Sequence, residues 1–339
     1  MTANGGNISL AISAGDPAGI GPEIIGKAWN ARKKAKLASF FAVGDMNSFA
    51  SHWDGPVIRI DDPADAAAHF SKALPVIHVH DCGEVIPGQP SPAGAECALQ
   101  SLELAIGCTR AGTASALVTA PVSKTQLYSV GFTHPGQTEF IAERCGISGN
   151  NAVMMLAAPD LRVVPMTTHI PLSQVLKRLD GNLIRQRIRA TVKGLQRDFN
   201  IANPRIAIAG VNPHAGESGN IGREEIELFM PAIEELRSEG FDITAPQSAD
   251  TLFHAAARQH YDAVMCSYHD QALIPIKTLY FDEAVNITLG LPIVRTSPDH
   301  GTAFGIAGTH MAKANSMIAA IQMAGAAVAF RQQSASIDA

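Results

Sequence analysis

Three histidines in this chain each follow a short apolar run. The segment RVVPMTT, residues 162–168, leads into His169; RIAIAGVNP, residues 205–213, leads into His214; DAVMCSY, residues 262–268, leads into His269. Short apolar runs bounded by turn residues predict strands of a parallel sheet. Open α/β sheets take up ligands beyond the carboxyl ends of their strands. Three imidazoles delivered to that edge can form a three-nitrogen metal site with an open coordination position, an arrangement suited to catalysis rather than to structure. One such histidine is more readily an unrelated polar strand end; the placement shared by three is what points to a metal. Asp270 and Glu217 stand close enough in sequence to orient an imidazole.

Other segments carry polar groups to strand ends. Gly15-Asp16-Pro17-Ala18-Gly19-Ile20-Gly21-Pro22-Glu23 follows the first apolar run and reads as a tight turn into a helix near Pro22. It lacks the Lys-Ser/Thr pair of a phosphate-binding P-loop and the glycine spacing of a dinucleotide fingerprint. Thr119-Ala120-Pro121-Val122-Ser123-Lys124 ends a strand and opens a helix, so Ser123 is either an N-cap or, with Lys124, an anion contact. Gln137 and Thr138 put neutral donors near a further helix start, where a phosphate cradle and a capping box from Thr138 are both open readings. Asn286 and Arg295 bracket an apolar turn, and Arg295 offers a planar fork for carboxylate or phosphate. Residues 297–308, rich in small side chains, leave room for a flat ring and a ribose.

The elements that must position these groups alternate between apolar strands and amphipathic helices, including helices expected at 183–199 and 224–239. That alternation predicts a parallel or mixed sheet covered by helices, an α/β fold. The 339 residues suffice for two packed domains, and a net charge of −5 without a Lys/Arg run argues against nucleic acid as a partner. The five cysteines form no CxxC pair and fit reduced, cytosolic thiols. Met1–Gly6 does not read as a signal peptide, and the apolar runs fall short of the roughly 20 residues of a membrane helix. A soluble, cytoplasmic protein is expected, with residues 333–338 as a frayed tail.

Taken in order, the segments GDPAGIGPE, TAPVSK, NPHAGE, YHDQ with PIK, and the His-Gly-Thr-Ala-Phe loop resemble the 4-hydroxythreonine-4-phosphate dehydrogenase family of vitamin B6 biosynthesis, from Gly15 to about Gly308. The resemblance implies an isocitrate/isopropylmalate-dehydrogenase-like fold of two α/β domains around a cleft. We expect residues 1–124 with 276–339 in the first domain and 125–275 in the second. It also implies a homodimer whose active site takes groups from both subunits. The family's metal histidines fall on His169, His214 and His269; its substrate contacts fall on Thr138, Lys277, Asn286 and Arg295, with Gln137 beside Thr138. The cofactor loop falls on His300, Gly301, Thr302 and Gly305.

The expected reaction is metal-dependent oxidation of 4-phosphooxy-L-threonine by NAD or NADP. Lys277 is the candidate proton-transfer group, and nitrogen ligands favour zinc or cobalt over magnesium. Two departures stand out. Gln137 replaces the family's usual His and cannot become cationic; Gly305 replaces its usual Asp and neither accepts ribose hydroxyls nor repels a 2′-phosphate. Three other readings share these residues: a sister dehydrogenase of 4-phospho-threonate, 4-phospho-erythronate or a ring dihydrodiol, a phosphoester metallohydrolase, and a metal- and phosphate-binding protein without turnover.

Overall fold

The computed structural model describes residues 9–337. Its strands, in chain order, are β1 (Leu10–Ser13), β2 (Phe40–Gly44), β3 (Val57–Ile60), β4 (Leu74–His78), β5 (Leu117–Thr119), β6 (Val153–Ala158), β7 (Leu161–Pro165), β8 (Arg205–Ala209), β9 (Asp242–Gln247), β10 (Ala263–Cys266), β11 (Val285–Leu289) and β12 (Arg295–Pro298). The chain forms two compact units, divided at Gly149/Asn150 and Gly290/Leu291, with Phe330 onward returning to the second. The crossings expected after residues 124 and 275 therefore fall elsewhere. The helix Lys124–Ser129 packs on the helix Pro92–Arg110, and the helix His269–Tyr280 packs on β7, β10 and β6, so each stays with the sheet it covers.

In the first unit the strands run in the order β3-β4-β2-β1-β5-β12, all parallel. β1, β2, β5 and β12 are buried along their whole length, as strands covered on both faces must be. The helix Pro92–Arg110 covers one face: Ser91 accepts the Gly94 N–H, Pro92 takes the first turn, and Ala95, Ala98, Leu102 and Ile106 turn inward at helical spacing. Gly15 sits at φ +74°, where a Cβ would lie 2.3 Å from the carbonyl oxygen of Pro121. Only glycine lets that turn press against the end of β5.

The second unit orders its strands β11-β6-β7-β10-β8-β9; β6 is antiparallel to both neighbours, and β7, β10, β8 and β9 run parallel. The expected helix at 183–199 is present as Gly181–Phe199, capped by Asp180 on the Leu183 N–H and ended by Asn200 at φ 54°. The expected acidic helix is a π-turn, Glu225–Phe229, running into an α-helix, Met230–Ser238. The tail expected to fray is helical through Ile337, within a helix that starts at Asn315; Asp338 lies outside the described residues, as does Met1–Gly6. Cys266 is fully buried in the core around β7 and β10. Among the described residues no helix is long and apolar enough to cross a membrane.

Candidate active site

The strands that precede the three histidines are neighbours in the order β7-β10-β8, parallel and in register, so their carboxyl ends share one edge. Met166 N–H donates to Cys266 C=O at 2.7 Å, and the Thr167 hydroxyl donates to Ser267 C=O at 2.8 Å. These two bonds carry the β7–β10 pairing past the strands and set His169 beside His269, with ring centroids 5.5 Å apart. Both rings border a cavity of about 230 Å³ that Thr167, Val175, Tyr268 and Asp270 also line.

His269 opens the helix His269–Tyr280, and its Nδ1 is 2.6 Å from the Asp270 carboxylate. A carboxylate there selects the Nδ1–H tautomer and leaves the Nε2 lone pair for a ligand. Two turns further along the same face stands Lys277, half-buried, beside a hollow of about 390 Å³ that His269, Leu273 and Thr278 also line.

His214 is held differently. Residues 214–218 all lie in the left-handed region, with φ of 52°, 51°, 80°, 44° and 56°. Only Gly216 adopts that conformation freely; for the others it costs roughly 1–2 kcal/mol each. Buried Glu225 braces the turn: its carboxylate accepts the Asn212 N–H at 2.8 Å and the Asn212 side-chain amide at 2.9 Å, while Glu224 accepts the same amide at 2.7 Å. His169 is left-handed too, at φ 52°. Strained backbone at two of three strand-end histidines is the pattern expected where local geometry serves a site. Among the described residues, however, the three imidazoles do not gather to within 4.8 Å of one another. One chain pairs His169 with His269 and leaves His214 exposed on its own turn, near Asp250. Glu217 is exposed in that turn, so of the two carboxylates only Asp270 is seen orienting an imidazole.

Sequence reasoning missed Gln271. Its side-chain oxygen accepts the Ser267 N–H at 2.6 Å, and its nitrogen donates to Gly210 C=O at 2.7 Å. One amide thus ties the end of β10 to the end of β8. Its place within YHDQ was the available signal, passed over because only charged and imidazole groups were weighed there.

In the first unit Arg295 is 3% exposed and donates to Thr119 Oγ1 at 2.8 Å. Burial pushes its guanidinium down to about 10, against the pull of the Glu139 carboxylate, so it stays cationic at neutral pH. Gln137 opens the helix Gln137–Arg144 and donates weakly to Ala120 C=O at 3.4 Å, while its buried Oε1 has no partner among the described residues. Gly136, not Thr138, is the N-cap, and no side chain caps this helix. Ser123 is an N-cap, on Gln126 N–H. His134 packs against Phe132 and, edge to face, against Phe140, and bonds Glu143, a local role. Asn286, on β11 of the second unit, keeps a buried Oδ1 with no partner among the described residues.

The turn after β1 is tied to its neighbours by backbone bonds, Asp16 N–H to Pro121 C=O at 3.1 Å among them. Asp16 accepts the Ala18 N–H, and burial raises its carboxyl above the usual range, opposed by that bond. Glu23, fully buried, accepts from Lys27 and from Ala312 N–H and so fixes the chain beyond the 297–308 loop. That loop docks on the turn through Ile20 N–H to Thr302 C=O, 3.0 Å. Within it, among the described residues, a Cβ at Gly301 or Gly305 would meet nothing within 4 Å, and His300 holds a shielded Nε2 without a partner. Small residues and an unspent ring nitrogen suit a bound nucleotide.

The fold is of the isocitrate dehydrogenase class. A solved isocitrate dehydrogenase from Methylococcus capsulatus superposes with a TM-score of 0.50 over 97% of this chain and 88% of its own, at 14% identity, a likeness of fold alone. Within that class the chain belongs to the family of the pyridoxal phosphate biosynthetic protein PdxA, whose model matches residues 33–324. It is 55% identical over 315 residues, 93% of this chain and 94% of the relative, to a 4-hydroxythreonine-4-phosphate dehydrogenase of Zymomonas mobilis. A solved 4-hydroxythreonine-4-phosphate dehydrogenase from Klebsiella pneumoniae shares its fold at a TM-score of 0.84, with 36% identity over 94% of this chain and 99% of that one.

Replacing Gln271 with Leu strands the Ser267 N–H and the Gly210 C=O. A loss of about 1–3 kcal/mol for each stranded group is expected in urea unfolding, with Gln271→Glu, which keeps the acceptor only, in between. An unchanged midpoint in both variants contradicts the tie.

Proposed function

We propose that this chain oxidises the C3 hydroxyl of 4-phosphooxy-L-threonine with NAD or NADP. The product is 2-amino-3-oxo-4-phosphooxybutanoate, which loses CO2 to give 3-amino-2-oxopropyl phosphate. The observation that carries this reading is the set of three histidines at adjacent strand ends, in a chain 55% identical to a named dehydrogenase of that substrate. His169, His214 and His269 would hold a divalent ion, zinc or cobalt ahead of magnesium by donor type. When bound, such an ion supplies Lewis acidity that lowers the pKa of the substrate hydroxyl and steadies the charge left as CO2 departs.

The chain's own groups do the rest. Asp270 keeps His269 in the ligating tautomer. Lys277, on the same helix face, takes or returns the proton of the reacting hydroxyl. Arg295, held cationic and desolvated, binds an anionic group of the substrate. The Thr138 hydroxyl and the side-chain amides of Gln137 and Asn286 offer the substrate neutral hydrogen bonds. Gln137 in place of a cationic His implies phosphate binding that varies little with pH near neutrality. His300, Gly301, Thr302 and Gly305 receive the nucleotide.

We place the enzyme in the cytoplasm, in keeping with its five free thiols. We also infer a homodimer that completes the site with groups from both subunits. Two observations support it. His214 stands apart from the His169–His269 pair within one chain, and Leu172, Leu176, Ile274, Leu279 and Phe281 are exposed on elements around that pair.

The test follows reduced cofactor at its nicotinamide absorbance with 4-phosphooxy-L-threonine as substrate. NAD(P)H formation is expected with zinc or cobalt present, and His169→Ala, His214→Ala and His269→Ala each lose bound metal and at least about a hundredfold in kcat/KM. Release of inorganic phosphate without cofactor reduction overturns the reading in favour of a hydrolase.

Gly305 allows a second check. Its missing side chain leaves discrimination between NAD and NADP modest, and an added Cβ meets nothing within 4 Å. Gly305→Asp introduces a carboxylate that accepts ribose hydroxyls and repels a 2′-phosphate. The ratio of kcat/KM for NAD over NADP is expected to rise at least about tenfold, the yield of one charged hydrogen bond of about 1.5–3 kcal/mol. An unchanged ratio places Gly305 away from the ribose.

A further inference from the structure

β2 and β4 are parallel neighbours whose last residues, Gly44 and His78, are partners in register. The residue after Gly44 is Asp45, so a carboxylate and an imidazole reach the same sheet edge in the first unit. Asp45 is 1% exposed. Its Oδ1 accepts the Asn47 N–H at 3.1 Å, capping the helix Met46–His52, and its Oδ2 accepts the Cys82 thiol at 2.9 Å. Asp81, three residues beyond His78, is exposed, and its Oδ1 accepts the Asn47 side-chain amide at 2.6 Å. One donor atom from each of Asp45, His78 and Asp81 lies within 4.8 Å of the other two.

The contact between His78 and Asp45 is informative. Nδ1 and Oδ1 are 3.6 Å apart, too far for a hydrogen bond, and Nδ1 accepts the Met46 N–H at 3.3 Å, a long bond that an ion at Nδ1 would replace. Two ligands of a tetrahedral ion, each at about 2.1 Å, stand about 3.4 Å from one another, so the spacing matches a ligand pair. Among the described residues His78 is also the only ion-pair partner of buried Asp45.

The geometry points to a divalent metal site made of Asp45, His78 and Asp81, with the Cys82 thiol as a further donor for a thiophilic ion. The mixed nitrogen and oxygen set favours zinc or cobalt over magnesium or calcium. The ion would join the start of the helix Met46–His52 to the segment after β4, a structural role separate from the strand-end histidines of the second unit.

The experiment is equilibrium dialysis of the full-length protein against zinc, with folding verified by circular dichroism, for wild type, His78→Ala, Asp81→Asn, His269→Ala and the double variant His78→Ala/His269→Ala. His78→Ala and Asp81→Asn are expected each to lose one equivalent, or to weaken one site at least tenfold. Zinc is expected to raise the Tm of His269→Ala but not of the double variant. Exposed Asp81 tolerates substitution, so Asp81→Asn decides the matter should His78→Ala misfold. Wild-type stoichiometry and affinity in both His78→Ala and Asp81→Asn overturn this site. Wild-type binding by His269→Ala instead counts against the strand-end histidines, and the two failures are read from different variants.

Discussion

The parallel pairing of β7, β10 and β8 is the constraint on which the candidate site depends. Parallel strands in register end together, so residues just past them are brought to one edge although His169 and His269 stand 100 positions apart in sequence. The pairing then continues beyond the strands. Thr167 on Ser267 and Gln271 on Ser267 and Gly210 satisfy backbone groups that the ladder leaves open, and they do so without apolar packing. Buried strand ends without such partners would forfeit roughly 1–3 kcal/mol for each orphaned group. The polar staples therefore stabilise the fold and aim the imidazoles with the same bonds.

Rigidity is not spread evenly along that edge. His169 and His269 are set by strand pairing and a helix start, whereas His214 rides on a run of left-handed residues that only a bracing carboxylate makes tolerable. The conformational cost of that turn is local, and the energy that offsets it comes from buried Glu225 and from β8. A turn so constrained holds its exposed imidazole on a fixed backbone.

Much of the fold was legible because it rests on periodicity. Apolar runs bounded by turn residues marked β7, β8 and β10, and their alternation with helices marked the α/β class. The strand-end placement of His169, His214 and His269 followed directly. The unit boundaries did not, because the chain crosses at turns near Gly149 and Gly290 rather than at a Pro/Ser-rich linker. The left-handed turn at 214–218 was illegible for a different reason: four of its five residues have no preference for that conformation, and tertiary bracing by Asn212 and Glu225 imposes it. Gln271 and the Asp45, His78 and Asp81 group escaped notice because their partners are distant in sequence or are backbone atoms, which residue type does not announce. The tail failed as an expectation because its small polar residues continue a long helix.

The claim that strand pairing gathers imidazoles into a metal site has a direct test in anomalous scattering. Crystals of the zinc-loaded protein, measured on either side of the zinc edge, should show a peak about 2.0–2.1 Å from ring nitrogens of His169 and His269, with a His214 ring from the assembly as the third ligand. Stoichiometric zinc that scatters elsewhere, with neither His169 nor His269 bonded to it, contradicts the account.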